Sequence, residues 1–295
     1  MSGSILSVAL RERLVSLLNA MPAAQAGDET SVHQARVASR RLRGVLPVLG
    51  ARADADALER AHRQVRRITR ALGPVRELDV TLALLSEYEQ RGAAAHKAIA
   101  RVRQALMHER STRRHAMLSD LTPSRLDKLR RRLVNVAAPK APGHPRAGEV
   151  SEAARQAAAR ARDLRTAMDH AGGMYLPDRL HRVRVAAKKL RYALEIQREL
   201  TRSRSLARLN KVKALQDGLG RMHDLEVLIE HTRNVQAAVA ASDRKGTADL
   251  EVLVHALERE CRADHAAYMR ERPAILTLCA DVMGTTHDSH PTAVA

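Results

Sequence analysis

Two stretches of this 295-residue chain carry the same charged side chains at the same spacing. VHQARVASRRLR runs from Val32 to Arg43, and LHRVRVAAKKLR runs from Leu180 to Arg191, 148 positions further on. Each sets an imidazole beside a row of guanidinium or ammonium groups, which is chemistry for holding oxyanions. With His33 at the origin of a helical wheel, Arg36, Arg40 and Arg43 fall within about 80° of it. Arg41 lies about 80° to the other side. Ala35, Ala38, Leu42, Val45 and Leu46 gather opposite, as a core face should. In the second phrase His181, Arg184, Lys188 and Arg191 form the stripe, with Lys189 in the place of Arg41. Val183, Ala186, Leu190, Ala193 and Leu194 form the second core face.

Like charges one helical turn apart repel by a few tenths of a kcal/mol per pair. No acidic residue lies between Val32 and Arg52 to relieve them. The stripe is therefore expected to pair with something outside its own helix. One candidate is a set of acidic residues on neighbouring helices, such as Glu77 and Asp79; the other is an external polyanion. Ten residues of helix cover about 15 Å, which suits an extended chain of phosphates better than one phosphate group. Thr30 and Asp178, three residues before the histidines, are expected to cap these helices, with Ser31 and Gln34 a rival capping box in the first. The histidines would then act at helix N-termini, where free N–H groups favour anions.

These side chains need helices to position them, and the composition supplies helix formers. Ala, Leu and Arg, all strong helix formers, dominate, Phe and Trp are absent, and Tyr occurs four times. Apolar residues make up 45% of the chain, so a core of Leu, Val, Ala, Ile and Met can form. Alternating strand patterns and Asn-Gly or Asp-Gly hairpin turns are lacking, which leaves an all-α fold. Breaks place helices near 4–21, 31–49, 53–72, 75–91, 94–120 and 124–137. A second set falls near 150–171, 178–201, 204–218, 221–241, 247–271 and 274–283. Between the sets lies AAPKAPGHPRAGE, rich in Pro and Gly. The expected organisation is a first half at 1–137, a linker at 138–148, a second half at 149–283 and a disordered tail at 284–295.

A second pair of matching phrases, LGPVRELDV (Leu72–Val80) and LGRMHDLEV (Leu219–Val227), repeats at nearly the same offset. Two matches at nearly one offset point to an internal duplication and to two helical bundles related by an approximate two-fold. Arg66 and Lys213 stand seven positions before the repeated Gly73 and Gly220. Arg63 and Arg70 extend the basic face in the first half only. Tyr192 and Glu195 lie near the second stripe where the first half has Gly44 and Pro47, so the halves are not equivalent.

The doubled phrase His-x-x-Arg-Val-x-x-[Arg/Lys]-[Arg/Lys]-Leu-Arg, each followed by Leu-Gly-x-x-x-[Asp/Glu], resembles the CHAD domain, the conserved histidine α-helical domain. The resemblance covers about residues 5–283. It implies two four-helix bundles in pseudo-two-fold arrangement. It also implies binding of inorganic polyphosphate by basic residues lining a central cavity, and targeting to polyphosphate granules. Carried onto matching positions, the binding residues are His33, Arg36, Arg40, Arg41, Arg43, His181, Arg184, Lys188, Lys189 and Arg191, with Arg66 and Lys213 following. Phosphate or sulfate ions are expected to fit the same positions. Many family members are fused to a CYTH triphosphatase domain; this chain has no room for one, so no enzymatic role is expected.

The charge balance agrees with a polyanionic partner: 51 Lys and Arg against 33 Asp and Glu give a formal +18. Non-specific nucleic-acid binding is the first rival. The chain nearly lacks the aromatic platforms on which single strands stack, and its stripes lack the Asn or Gln that read bases. A metal-dependent phosphohydrolase is the second, built on His223-Asp224 with His62. His223-Asp224 occupies the slot held by Arg76-Glu77 in the first copy, and HERST at 108–112 is not a zinc motif. No cofactor or metal is expected. Cys261 and Cys279 lack metal-like spacing and suit a reducing compartment. With neither a signal peptide nor a run of 18 apolar residues, a cytoplasmic protein is expected.

Overall fold

In the computed structural model both basic phrases are helical and bury the faces their spacing marks out. The structure describes residues 5–51, 54–92, 94–137, 146–239 and 243–284. The first phrase lies on α2 (Glu29–Val45), where Val32, Ala35, Ala38, Leu42 and Val45 are buried. The second lies on α7 (Pro177–Thr201), where Val183, Ala186, Leu190, Ala193 and Leu194 are buried. Each buried Leu or Val stabilises the fold by about 1.5–3 kcal/mol relative to exposure. That decides which face turns inward and so which face carries the cations outward.

Around these lie α1 (Ile5–Ala26), a 3-10 segment (Leu46–Ala51), α3 (Ala55–Gln90), α4 (His96–Asp120) and α5 (Pro123–Ala137). The second half adds α6 (Arg146–Ala171), α8 (Ala207–Ala238) and α9 (Arg244–Gly284). The described residues contain no strand, and the fold is all-α. The expected linker at 138–148 lies outside the described residues, except that Arg146–Gly148 begin α6. The expected tail also lies outside them, apart from Gly284 at the end of α9.

Three expected breaks are absent. α3 runs through Gly73-Pro74, α8 through Gly218 and Gly220, and α9 through Pro273. A mid-helix proline costs about 3 kcal/mol and a glycine about 1 kcal/mol. The apolar stripe outweighs this because it keeps its phase across each break. Leu72 and Val75 are both buried beside Pro74, and Leu215, Leu219, Met222 and Leu225 are buried in step along α8.

The long helices serve two cores each. One core joins α1, α2, α5 and the first part of α3, and it also takes Ile196 and Leu200 from α7. A second joins α6, α7, the first part of α8 and the last part of α9. The third combines Leu78–Leu85 and Ile99–Leu106 with Leu225–Ile229 and Leu250–Cys261, drawing on both halves of the chain. The two halves are thereby held together, with α2 packed against α7.

The expected caps are corrected. Asp28 caps α2, its carboxylate accepting from Ser31 N at 2.7 Å, and Thr30 is inside the helix. α7 starts at Pro177 after Leu176, with no side-chain cap, and Asp178 is likewise internal. Proline suits that first position because its missing N–H is not needed there. His33 and His181 therefore project from beyond the free N–H groups and act from the flanks of their helices.

Candidate functional site

α2 packs closely against α7 at Gly44. A Cβ there would lie 3.3 Å from Tyr192 Cβ and 3.3 Å from Ile196 Cδ1, so a larger residue would push the helices apart. Beside this crossing is a cavity of about 560 Å³. Arg36, Arg40 and Arg43 enter it from α2; His181, Arg184, Lys188 and Lys189 enter from α7. His62 of α3, Gln156 and Arg160 of α6, and His223 of α8 complete the basic and polar walls, with Glu77 of α3 the acidic exception.

The cations are crowded and partly dehydrated. Burial, then Arg184, Arg40 and Arg36, push Lys188 down to about 6. Burial, followed by the charge of Arg40, lowers Arg36 to about 10. Arg184 and Arg43 are lowered for the same first reason, burial; Arg66, Arg40 and Arg70 add to the effect at Arg43. His181, His33 and His62 are each lowered by burial and then by neighbouring charge. Arg36, Arg40, Lys188 and Lys189 have no ion-pair partner among the described residues. The Nε atoms of Arg43 and Arg184 are buried without a hydrogen-bond acceptor. An unsatisfied buried donor costs about 1–3 kcal/mol, more when charged, which an entering anion would relieve.

Acidic groups gather at one end. Arg184 Nη2 lies 3.6 Å from Asp224 Oδ1, and burial raises Asp224 above the usual carboxylate range. Glu77 is held low chiefly by His223, whose Nε2 is 3.8 Å from its Oε2. The His181 and His223 rings sit 4.9 Å apart at 54°. Arg36 is anchored by donating from Nη1 to Thr69 O at 3.3 Å.

Not every expected site residue reaches the cavity. His33 and Arg41 line a separate hollow with Arg13, although His33 still feels Arg76, Arg36 and Arg40. Arg41 pairs with Glu195 at 3.6 Å, and Arg191 Nε donates to the same side chain at 3.1 Å. Arg191 is also held over the Tyr192 ring. Lys213 pairs with Asp217 at 2.7 Å on the exposed surface. Arg66 stands near Arg43 without lining the cavity. Of the two proposed neutralising acids, Glu77 is present at the stripe. Asp79 is not: it is fully buried and pairs with Arg110 at 2.6 Å. The sequence reading missed Gln156 and Arg160. They are one turn apart on one helix face, a spacing visible in the sequence, but nothing there says that α6 faces α7. His62 and His223-Asp224, read as a rival metal set, stand near the cations; among the described residues no three potential ligands are placed to hold a metal ion.

The CHAD domain family model matches residues 8–233. The fold is similar to the crystal structure of the CHAD domain from the plant Ricinus communis, with a TM-score of 0.60 and 21% identity over 97% of this chain and 91% of that one. It is also similar to PptA from Streptomyces chartreusis, with a TM-score of 0.58 and 17% identity over 98% and 100% of the two chains. At such identities these likenesses carry the fold alone. No curated protein matches. No helix among the described residues is long and apolar enough to cross a membrane.

Proposed function

The chain belongs to the CHAD domain family, and from that premise we propose that it binds inorganic polyphosphate, without catalysing a reaction on it, in the cavity between α2 and α7. The carrying observation is the meeting of Arg36, Arg40 and Arg43 with Arg184, Lys188 and Lys189 around one space of about 560 Å³. Five of these six have no ion-pair partner among the described residues, and Lys188 is held near 6 by burial and then by its charged neighbours. Cations this close repel, and the repulsion is relieved when phosphate oxygens come between them. Arg side chains engage the oxygens with two donors each, and Lys188 is drawn into its charged form. Bound polymer would then recruit the protein to polyphosphate granules.

Titration of long-chain polyphosphate at several salt concentrations tests this. Each phosphate neutralised by Lys or Arg releases condensed counterions, so the affinity should fall steeply and linearly in a log–log plot. In competition at one salt concentration, polyphosphate should displace duplex DNA, because a cavity admits a thin chain more easily than a duplex. Equal competition by DNA, or a flat salt dependence, overturns the proposal.

A further inference from the structure

A second basic surface runs along α3. With His62 of the cavity wall at the origin of the helical wheel, Arg66, Arg70, Arg63, Arg67 and Arg60 follow in order over about 160°. The buried positions Ala61, Val65, Ile68, Thr69 and Leu72 take the remaining side. The arc begins at the cavity and ends in a groove of about 460 Å³. Arg60, Arg63 and Arg67 line the groove from α3, and Arg125, Lys128 and Arg132 face them from α5.

The groove is held open by its own contacts and keeps an excess of positive charge. Gln64 ties the helices, donating to Arg125 O at 2.7 Å and accepting from Arg132 Nη1 at 2.9 Å. Asp120 is the groove's one lining carboxylate, shared between Arg67 at 2.7 Å and Arg125 at 3.1 Å. Arg63 pairs with Glu59, and Arg60 is within 3.8 Å of Asp54. Lys128, Arg66 and Arg70 have no ion-pair partner among the described residues. Cavity and arc adjoin electrostatically, since Arg66 and Arg70 both act on Arg43. Glu77 and Asp224 lie with His223 and Arg184, and neither is among the charges that act on Arg43, so the site's acidic groups stand away from the arc.

We propose that a polyphosphate chain seated in the cavity leaves past Arg43, crosses α3 over Arg66 and Arg70, and settles in the groove between α3 and α5. The inference rests on the polyphosphate reading above and adds a second subsite to it. Long chains are then held at two places joined by one polymer, whereas a short one reaches only the cavity. Tethering makes the second contact intramolecular and raises affinity with chain length.

The test compares tripolyphosphate with long-chain polyphosphate on the wild-type protein and on Arg63→Glu with Lys128→Glu. Both side chains are exposed, and thermal melting verifies the fold; Arg63→Gln with Lys128→Gln serves if the reversal melts early. The expected result is tripolyphosphate affinity unchanged within about twofold and long-chain affinity reduced at least about tenfold, with a shallower salt slope. If long-chain affinity is unchanged while the wild type binds, the groove is idle and this inference alone is overturned. If both ligands weaken equally, the groove acts only through the general field, and the subsite is again overturned. If the groove variant loses duplex DNA but not long polyphosphate, the groove serves nucleic acid instead. Failure of the wild type to bind either phosphate ligand overturns the cavity reading itself.

Discussion

Lys188 of α7 and Arg40 of α2 line the same cavity, and the charge of Arg40 helps hold Lys188 near 6 after burial and Arg184 have lowered it. Without an anion this arrangement is under electrostatic stress. Its consequences are measurable.

Affinity should depend on pH in a defined direction. A bound phosphate raises the proton affinity of Lys188, so binding takes up a proton wherever the free lysine is neutral. Binding should therefore strengthen as pH falls from about 8 toward 6 and level off below, where the free lysine is already charged. Calorimetry in buffers of different ionisation enthalpy should detect the proton, and Lys188→Met should abolish most of the uptake. Uptake unchanged in that variant would assign the proton elsewhere.

Stability of the free protein should show the opposite trend. The folded-state value near 6 lies below the ordinary lysine value of 10.5, so between them the unfolded chain binds more protons. Stability then rises with pH through that window and is lowest below about 6. His181, His33 and His62, also lowered, act with the same sign near neutrality. Melting temperature should be higher at pH 8 than at pH 6, and polyphosphate should narrow or reverse the difference.

Both cavity walls should contribute to one binding event. Arg40→Ala with Arg43→Ala, and Lys188→Ala with Lys189→Ala, should each weaken polyphosphate binding at least about tenfold, since a charge-assisted contact contributes about 1.5–3 kcal/mol. Stoichiometry should not change. Arg191→Ala should have a smaller effect, because Glu195 and Tyr192 already engage that side chain. Loss of half the sites at full residual affinity would show two independent sites.

The repeated glycines should respond differently to alanine. Around Gly220 nothing lies within 4 Å of a new Cβ, so Gly220→Ala should stabilise by about 0.5–1 kcal/mol. At Gly73 a Cβ would come within 2.9 Å of Arg36 Nη1. Gly73→Ala should gain little stability, displace the Arg36 guanidinium from Thr69 O and weaken binding. Melting and titration of the two variants separate these outcomes.

Asp79 should prove structural. It is fully buried against Arg110, which also donates to Gly27 O at 3.0 Å. Asp79→Ala leaves that guanidinium without its carboxylate and should cost about 3–5 kcal/mol in denaturant unfolding. Polyphosphate affinity of the folded fraction should be unchanged.

The sequence by itself determined the helices that carry the site and the faces they turn outward. Amphipathic spacing is local: Leu42 and Leu190 must point inward, so Arg40 and Lys188 cannot. The doubled phrase likewise named seven of the residues that line the cavity: Arg36, Arg40, Arg43, His181, Arg184, Lys188 and Lys189. Only the tertiary structure decided how those faces are combined. Glycine and proline mark local weakness, and their effect at Pro74, Gly220 and Pro273 was overridden by apolar burial on both sides, which no local rule can weigh. Whether a cation meets an anion or open space depends on helix placement. Glu195 takes up Arg41 and Arg191, Asp79 turns to Arg110, and α6 brings Arg160 to the cavity. Pairwise charge contacts are set by distances between helices far apart in the chain, and periodicity along one helix carries no record of them.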